Sequence, residues 1–119
     1  MSESYKFVFE TGVEIYLPLW HKTVNANGTR TPIDLRTKRI VLTFTPRNAN
    51  WSLVLDSDEP ANVNGSKIEI ENANTGFFEI TVTAAEIATM PKCFGRAEMR
   101  LYQTVGGTRT LMEVPFSRV

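Results

Sequence analysis

The chain has a single cysteine, Cys93, and a single histidine, His21. One thiol rules out an internal disulfide and fits a protein made in a reducing cytosol. One imidazole leaves a Ser–His–acid triad a single candidate base, and the Gly-x-Ser-x-Gly turn that would present a serine nucleophile is missing. A P-loop and a Gly-x-Gly-x-x-Gly turn are missing too. Charge of one sign is also lacking: 13 basic and 13 acidic residues balance to a net charge of zero. That excludes the basic stripe of a nucleic-acid binder and the composition of an acidic disordered tail. No apolar run reaches the roughly 18 residues of a membrane span. Met1-Ser2-Glu3-Ser4-Tyr5 lacks a basic n-region and an apolar h-region, so no signal peptide is expected. The glycosylation patterns at Asn27, Asn50 and Asn64 are therefore read as chance matches in Asn-rich loops.

What the chain does have is large apolar side chains at alternating positions. Its 119 residues fit one domain, 1–119, and include seven Phe, three Tyr and two Trp. A core burying roughly two-thirds of the unfolded surface can hold a chain of this length without metal or disulfide. The clearest pattern is Ile40-Val41-Leu42-Thr43-Phe44-Thr45, with Ile40, Leu42 and Phe44 on one face. Pro46 to Asn50 breaks the run, and Trp51, Leu53 and Leu55 resume it, which predicts a central hairpin.

The same period places Tyr5, Phe7 and Phe9 on one face of a first strand and Val13, Ile15 and Leu17 on one face of a second. Thr11-Gly12 would join these two as a tight hairpin. Pro18 confines the second strand to an edge or ends it. Lys22 to Thr31 reads as a loop turning at Asn27-Gly28. Ile68 and Ile70, then Phe78, Ile80 and Val82, face inward on two further strands. Thr83-Ala84-Ala85-Glu86 fits a capping box starting one short helical turn near 83–90, which Pro91 stops. Ala97, Met99 and Leu101 mark a long strand, and Gly106-Gly107 a hairpin tip. Thr110, Met112, Val114 and Phe116 share a face of the last strand. About eight or nine short strands with turns every 8–12 residues predict an all-β fold, a single antiparallel β-sandwich of immunoglobulin-like topology.

Candidate chemistry is sparse. His21 sits at a strand end, where a packing role is the usual one, and Cys93 has only Lys92 nearby to lower its pKa. Asp56, Asp58 and Glu59 offer oxygen ligands of the kind Ca²⁺ takes, but their spacing is not that of an EF-hand. A solvated turn uses the same residue types, so no metal and no cofactor are expected. Arg30, Arg36, Lys38, Arg39 and Arg47 cluster in sequence around the start of the central hairpin. Arg36, Lys38, Arg39 and Arg47 are the candidate partner-binding rim, with edge protection the plainer explanation. Exposed aromatics would serve a carbohydrate site, and Tyr16, Trp20, Trp51 and Tyr102 are the candidates for one, although core packing explains most such residues.

The order of parts resembles the immunoglobulin-like N-terminal domain of baseplate upper proteins and related tail proteins of tailed bacteriophages. The parts are an aromatic strand (Phe7–Phe9), a Gly12 turn, an apolar strand with a Trp (Ile15–Trp20), the Asn25–Gly28 turn and the Pro32-Ile33-Asp34-Leu35 lead-in to Ile40–Phe44. Then follow Gly76–Val82, the Thr83–Pro91 helical turn, Ala97–Tyr102, the Gly pair and Leu111–Phe116. The resemblance spans nearly the whole chain and rests on structural residues. It departs at Arg36-Thr37-Lys38, where the family has a glycine after the lead-in.

The resemblance implies a non-enzymatic structural component of the virion, made in the host cytoplasm. As a free-standing domain ending at Val119, it would be a tail, neck or baseplate adaptor in a symmetric multi-copy assembly with other virion proteins or receptor-binding fibres. A capsid decoration protein and a carbohydrate-binding module contacting the host surface are the alternatives. No nucleic-acid or membrane partner is expected.

Overall fold

The computed structural model describes residues 6–103 and 107–119. Ten strands run through them: β1 (Phe7–Phe9), β2 (Ile15–Trp20), β3 (Lys22–Val24), β4 (Arg30–Pro32), β5 (Lys38–Pro46), β6 (Leu53–Asp56), β7 (Lys67–Asn72), β8 (Phe77–Val82), β9 (Cys93–Gln103) and β10 (Thr108–Arg118). A 3-10 turn, Ala73–Thr75, joins β7 to β8, and a short helix, α1 (Ala84–Thr89), lies between β8 and β9. Tyr5 and Gly106, read above as part of the first strand and of a hairpin tip, lie outside the described residues. Among the described residues no helix is long and apolar enough to cross a membrane.

The fold is mostly β. One sheet has five strands in the order β1-β10-β9-β5-β6, a second has three in the order β2-β8-β7, and β3 and β4 form a separate pair. The five-stranded sheet is mixed, not purely antiparallel as the alternation suggested, because β1 runs parallel to β10 with Phe7 opposite Phe116. The expected hairpin of β5 with β6 is present, Leu42 facing Leu55 and Phe44 facing Leu53.

Both large sheets contribute to one core. Ile40, Leu42 and Phe44 of β5, Ile80 and Val82 of β8 and Ala97 of β9 have no exposed surface at all. Each large side chain taken out of water in this way contributes about 1.5–3 kcal/mol. Phe44 is the hub, with ring centroids 5.2 Å from Phe7, 5.3 Å from Phe9 and 5.4 Å from Phe116. These edge-on contacts, each worth ~0.5–1.5 kcal/mol beyond area, tie both ends of the chain to the central strand.

Several local expectations need correction. Thr11-Gly12 does turn, with Gly12 at φ 80, but it carries the chain from one sheet to the other and does not close a β1–β2 hairpin. Val13 falls in that crossover and is half exposed, whereas Ile15, Leu17 and Leu19 pack on the core. Pro18, by contrast, sits as expected on an edge strand, inside β2. Residues 22–31 are not all loop: β3 and β4 pair across the Asn25–Gly28 turn, but both are fully solvent-facing and so show no alternation. In β10 a bulge between Thr110 and Met112 shifts the register, leaving Thr110 exposed while Met112, Val114 and Phe116 keep their side.

Two glycines are required by close approach. A Cβ on Gly95 would lie 2.1 Å from the Thr45 carbonyl oxygen and 2.7 Å from Pro46 Cα. One on Gly76, at φ +70, would lie 2.4 Å from the His21 carbonyl oxygen.

Candidate functional site

Arg36, Lys38 and Arg39 come together at the start of β5, where they line a shallow depression with Asp58, Tyr102 and Gln103. Arg47 does not join them. It follows the last residue of the nine-residue β5, about 30 Å from Lys38 at ~3.3 Å per residue. Its backbone N–H donates to the Phe94 carbonyl at 2.9 Å, so its part in the fold is to continue the β5–β9 ladder.

The two arginines at the start of the rim, Arg36 and Arg39, are neutralised by their own neighbours. Arg36 Nε donates to both oxygens of Asp34, at 3.0 and 2.8 Å. Asp34 also accepts from the Arg36 backbone N–H at 2.9 Å, closing a local turn. These hydrogen bonds hold the Asp34 carboxyl below its ordinary pKa and raise that of Arg36. Arg39 Nε reaches both oxygens of Asp56, at 2.9 and 3.0 Å, and its Nη2 donates to the same carboxylate. The guanidinium lies 5.4 Å from the Tyr102 ring centroid. The Arg39 hydrogen bond is the main reason the Asp56 carboxyl lies below its usual range. Among the described residues Lys38 and Arg47 form no ion pair.

The acidic candidates separate in the same way. Asp56 is committed to Arg39 and to the backbone N–H of Asp58 at 3.0 Å. Asp58 points outward, with its side chain 65% exposed and 4.0 Å from Arg39. Glu59 donates its N–H to the Asp56 carbonyl at 3.1 Å, as in a simple turn. Among the described residues no three His, Cys, Asp or Glu side chains are grouped closely enough to share an ion.

His21 packs against the junction of β2, β3 and the Gly76 turn. Its N–H donates to the Gly76 carbonyl at 2.9 Å, and its carbonyl accepts from Ile33 at 3.0 Å. Nε2 is buried without a hydrogen-bond partner. Burial first, then the nearby charges of Arg109 and Lys38, lower its pKa and favour the neutral ring. Cys93 is buried in the core, and burial pushes its thiol pKa up, away from the reactive thiolate.

Two arrangements were not legible in the sequence, although Glu86, Tyr16 and Trp20 were singled out there. The first is a polar clamp around α1. Thr83 Oγ1 accepts from the Glu86 N–H at 3.1 Å, as a cap should, but Glu86 does not reach back to Thr83. The Thr83 N–H instead goes to Ser66 Oγ at 3.2 Å. The buried Glu86 carboxyl accepts from Asn62 Nδ2 at 2.6 Å and Asn64 Nδ2 at 3.0 Å. Asn62 also folds its own loop, its Oδ1 taking the N–H groups of Asn64 and Ser66 at 3.1 and 2.9 Å.

The second is the outer face of the three-stranded sheet. Tyr16 and Trp20 alternate with Ile15, Leu17 and Leu19, and both are more than half exposed. Trp20 stacks on Phe77, directly across on β8, with centroids 4.7 Å apart and planes 28° from parallel. The Tyr16 hydroxyl donates to Glu79. Of the four aromatic candidates, these two face solvent as a pair. Trp51 is half-buried against Phe116, and Tyr102 lies under Arg39. The signal was present as the outward half of the β2 alternation, but Phe77 could not be placed beside Trp20 without the register. Compared with known proteins, the chain matches no family model and no curated sequence.

Proposed function

We propose that this chain is a non-enzymatic structural component of a tailed-bacteriophage virion, an adaptor in the tail, neck or baseplate that joins larger virion proteins or receptor-binding fibres. The observation that carries the reading is the order of parts around the Pro32–Leu35 lead-in. In the structure this lead-in is a joint: Ile33 donates to the His21 carbonyl at 3.0 Å and Leu35 to the Ala73 carbonyl at 2.8 Å, and Leu35 is buried. A segment that fastens two strand connections and then starts the central strand suits a pattern made of structural residues. An immunoglobulin-like sandwich is the architecture we infer from two sheets sharing one core.

An adaptor works through surface, and the balanced charge favours protein partners over nucleic acid or membrane. The Arg36–Arg39 end of β5, although internally paired, offers guanidinium groups that a partner's carboxylates could share. Symmetric multi-copy assembly is expected of such a part. The test is immunogold labelling of purified virions. Label on the tail, neck or baseplate supports the adaptor, label on the head lattice makes the protein a capsid decoration, and particles without label remove both readings.

A further inference from the structure

The outer face of β2 and β8 is a second surface with its own chemistry, and nothing in the adaptor reading uses it. Along β2 the outward side chains are Tyr16, Pro18 and Trp20, and opposite them on β8 stand Thr81, Glu79 and Phe77. Four residues of strand separate Tyr16 from Trp20, about 13 Å at ~3.3 Å per residue. This is longer than one sugar ring and suits a short chain of them. Trp20 is 56% exposed and Tyr16 54%. An indole stacked on Phe77 is held in one plane, so it presents a preorganised flat face to solvent.

The acceptors beside this row choose among occupants. Glu79 sits opposite Pro18, midway between the two aromatics, and Glu69 of β7 stands opposite Glu79. Like charges placed directly across a sheet reduce its stability. Here both are partly answered: Glu79 accepts from Tyr16, and Glu69 is 3.1 Å from Lys67 Nζ. The Tyr16 hydroxyl occupies one lone-pair site of Glu79 without cancelling its charge, and since an ionised carboxylate has about four such sites, acceptor capacity remains. Flat aromatic rings next to free acceptors match a molecule with C–H faces and hydroxyl donors. An anionic glycan would be repelled by the two carboxylates. A cationic peptide would find no enclosing cage of rings.

We infer that the Tyr16–Trp20 face is a binding platform for a neutral oligosaccharide. Ring stacking on Trp20 and Tyr16 supplies most of the affinity, and hydroxyl donation to Glu79 and Glu69 sets orientation. The inference does not depend on the virion reading, since binding of a purified sugar is measured without a particle.

The test titrates the full chain with neutral gluco-, manno-, galacto- and N-acetylglucosamine oligosaccharides, following tryptophan fluorescence and calorimetry. Heparin, polygalacturonate and polylysine serve as charged controls. At least one neutral chain is expected to bind, with Trp20→Ala weakening it tenfold or more, Tyr16→Ala several-fold, and Trp20→Phe falling between Trp20→Ala and the parent. Circular dichroism of each variant should match the parent, because these side chains are more than half exposed. The Trp20→Phe variant, which keeps a ring on Phe77, carries the test if Trp20→Ala does not fold. The inference is overturned if no neutral chain binds, if the Trp20 variants bind as well as the parent, or if a charged control is the tightest ligand. It is overturned equally if Trp20→Ala abolishes self-association in sedimentation, which would make the face a contact between copies.

Discussion

Asp56 and Glu86 are both acidic side chains held by donors from elsewhere in the chain, yet they stand in opposite settings. Asp56, its side chain 11% exposed, meets a guanidinium at the edge of the surface, and because Arg39 remains 46% exposed, water and salt reach the pair from the arginine side. Glu86 is 5% exposed and meets only neutral amides, those of Asn62 and Asn64. A charged pair in water is easily replaced, but a buried carboxylate holding two partly buried amides is less so. The conspicuous charges of this chain therefore contribute little to its stability, and a quiet Asn-x-Asn loop contributes much.

The largest effect should come from breaking the buried side. Glu86→Ala takes the shared acceptor away from two partly buried amide donors, and urea unfolding should show a loss of about 1–3 kcal/mol. Glu86→Gln keeps the shape and one acceptor, so it should recover part of that loss. Thr83→Ala removes the cap and the 2.7 Å hydrogen bond from Thr83 Oγ1 to the Asn64 carbonyl. Its loss should be about 1–2 kcal/mol by the same measurement. Equal losses for Glu86→Ala and Arg39→Ala would erase the contrast.

Acid sharpens the contrast further. The His21 pKa is lower in the folded chain than its ordinary value of 6.5, so the unfolded chain takes up its proton first. Stability is therefore full above that value and falls as pH drops below it. Thermal unfolding of His21→Phe should lack this loss between neutral pH and about pH 5. Asp56 also has a depressed pKa, from an ordinary value of 3.8, but its contribution persists above that value and disappears only in stronger acid. The smallest effect is that of Arg39→Ala: a slight loss of stability at neutral pH, absent in ~1 M salt, where screening acts over about 3 Å. A loss that persists in high salt would show the pair to be more than a surface contact.

The sequence made the buried strands legible because burial on one face writes a period of two. Ile40, Leu42 and Phe44, then Phe78, Ile80 and Val82, then Ala97, Met99 and Leu101 all face the core as that period requires. It failed where neither face is buried, as in β3 and β4, and where a bulge resets the count, as at Thr110 in β10. It also failed for pairing at a distance, since nothing local tells Thr11-Gly12 to cross between sheets. The candidate rim was legible as charge but not as pairing. Asp34 could be guessed two residues from Arg36, whereas Asp56 reaches Arg39 only through the β5–β6 hairpin. Glu86 was read correctly as part of a cap, but its true partners lie more than twenty residues back.

The parallel contact of β1 with β10 has a consequence for how the molecule is made. Phe7 is synthesised 109 residues before Phe116, yet the two lie opposite each other in one sheet. Phe7, Phe9 and Phe44 must wait as exposed rings until β10 arrives to cover them. Closing so long a loop is slow, because its entropy is lost before the contact rewards it. The nascent chain is therefore at its stickiest just before synthesis of β10 ends, and its yield in a cell should depend on chaperones that hold aromatic segments at that moment.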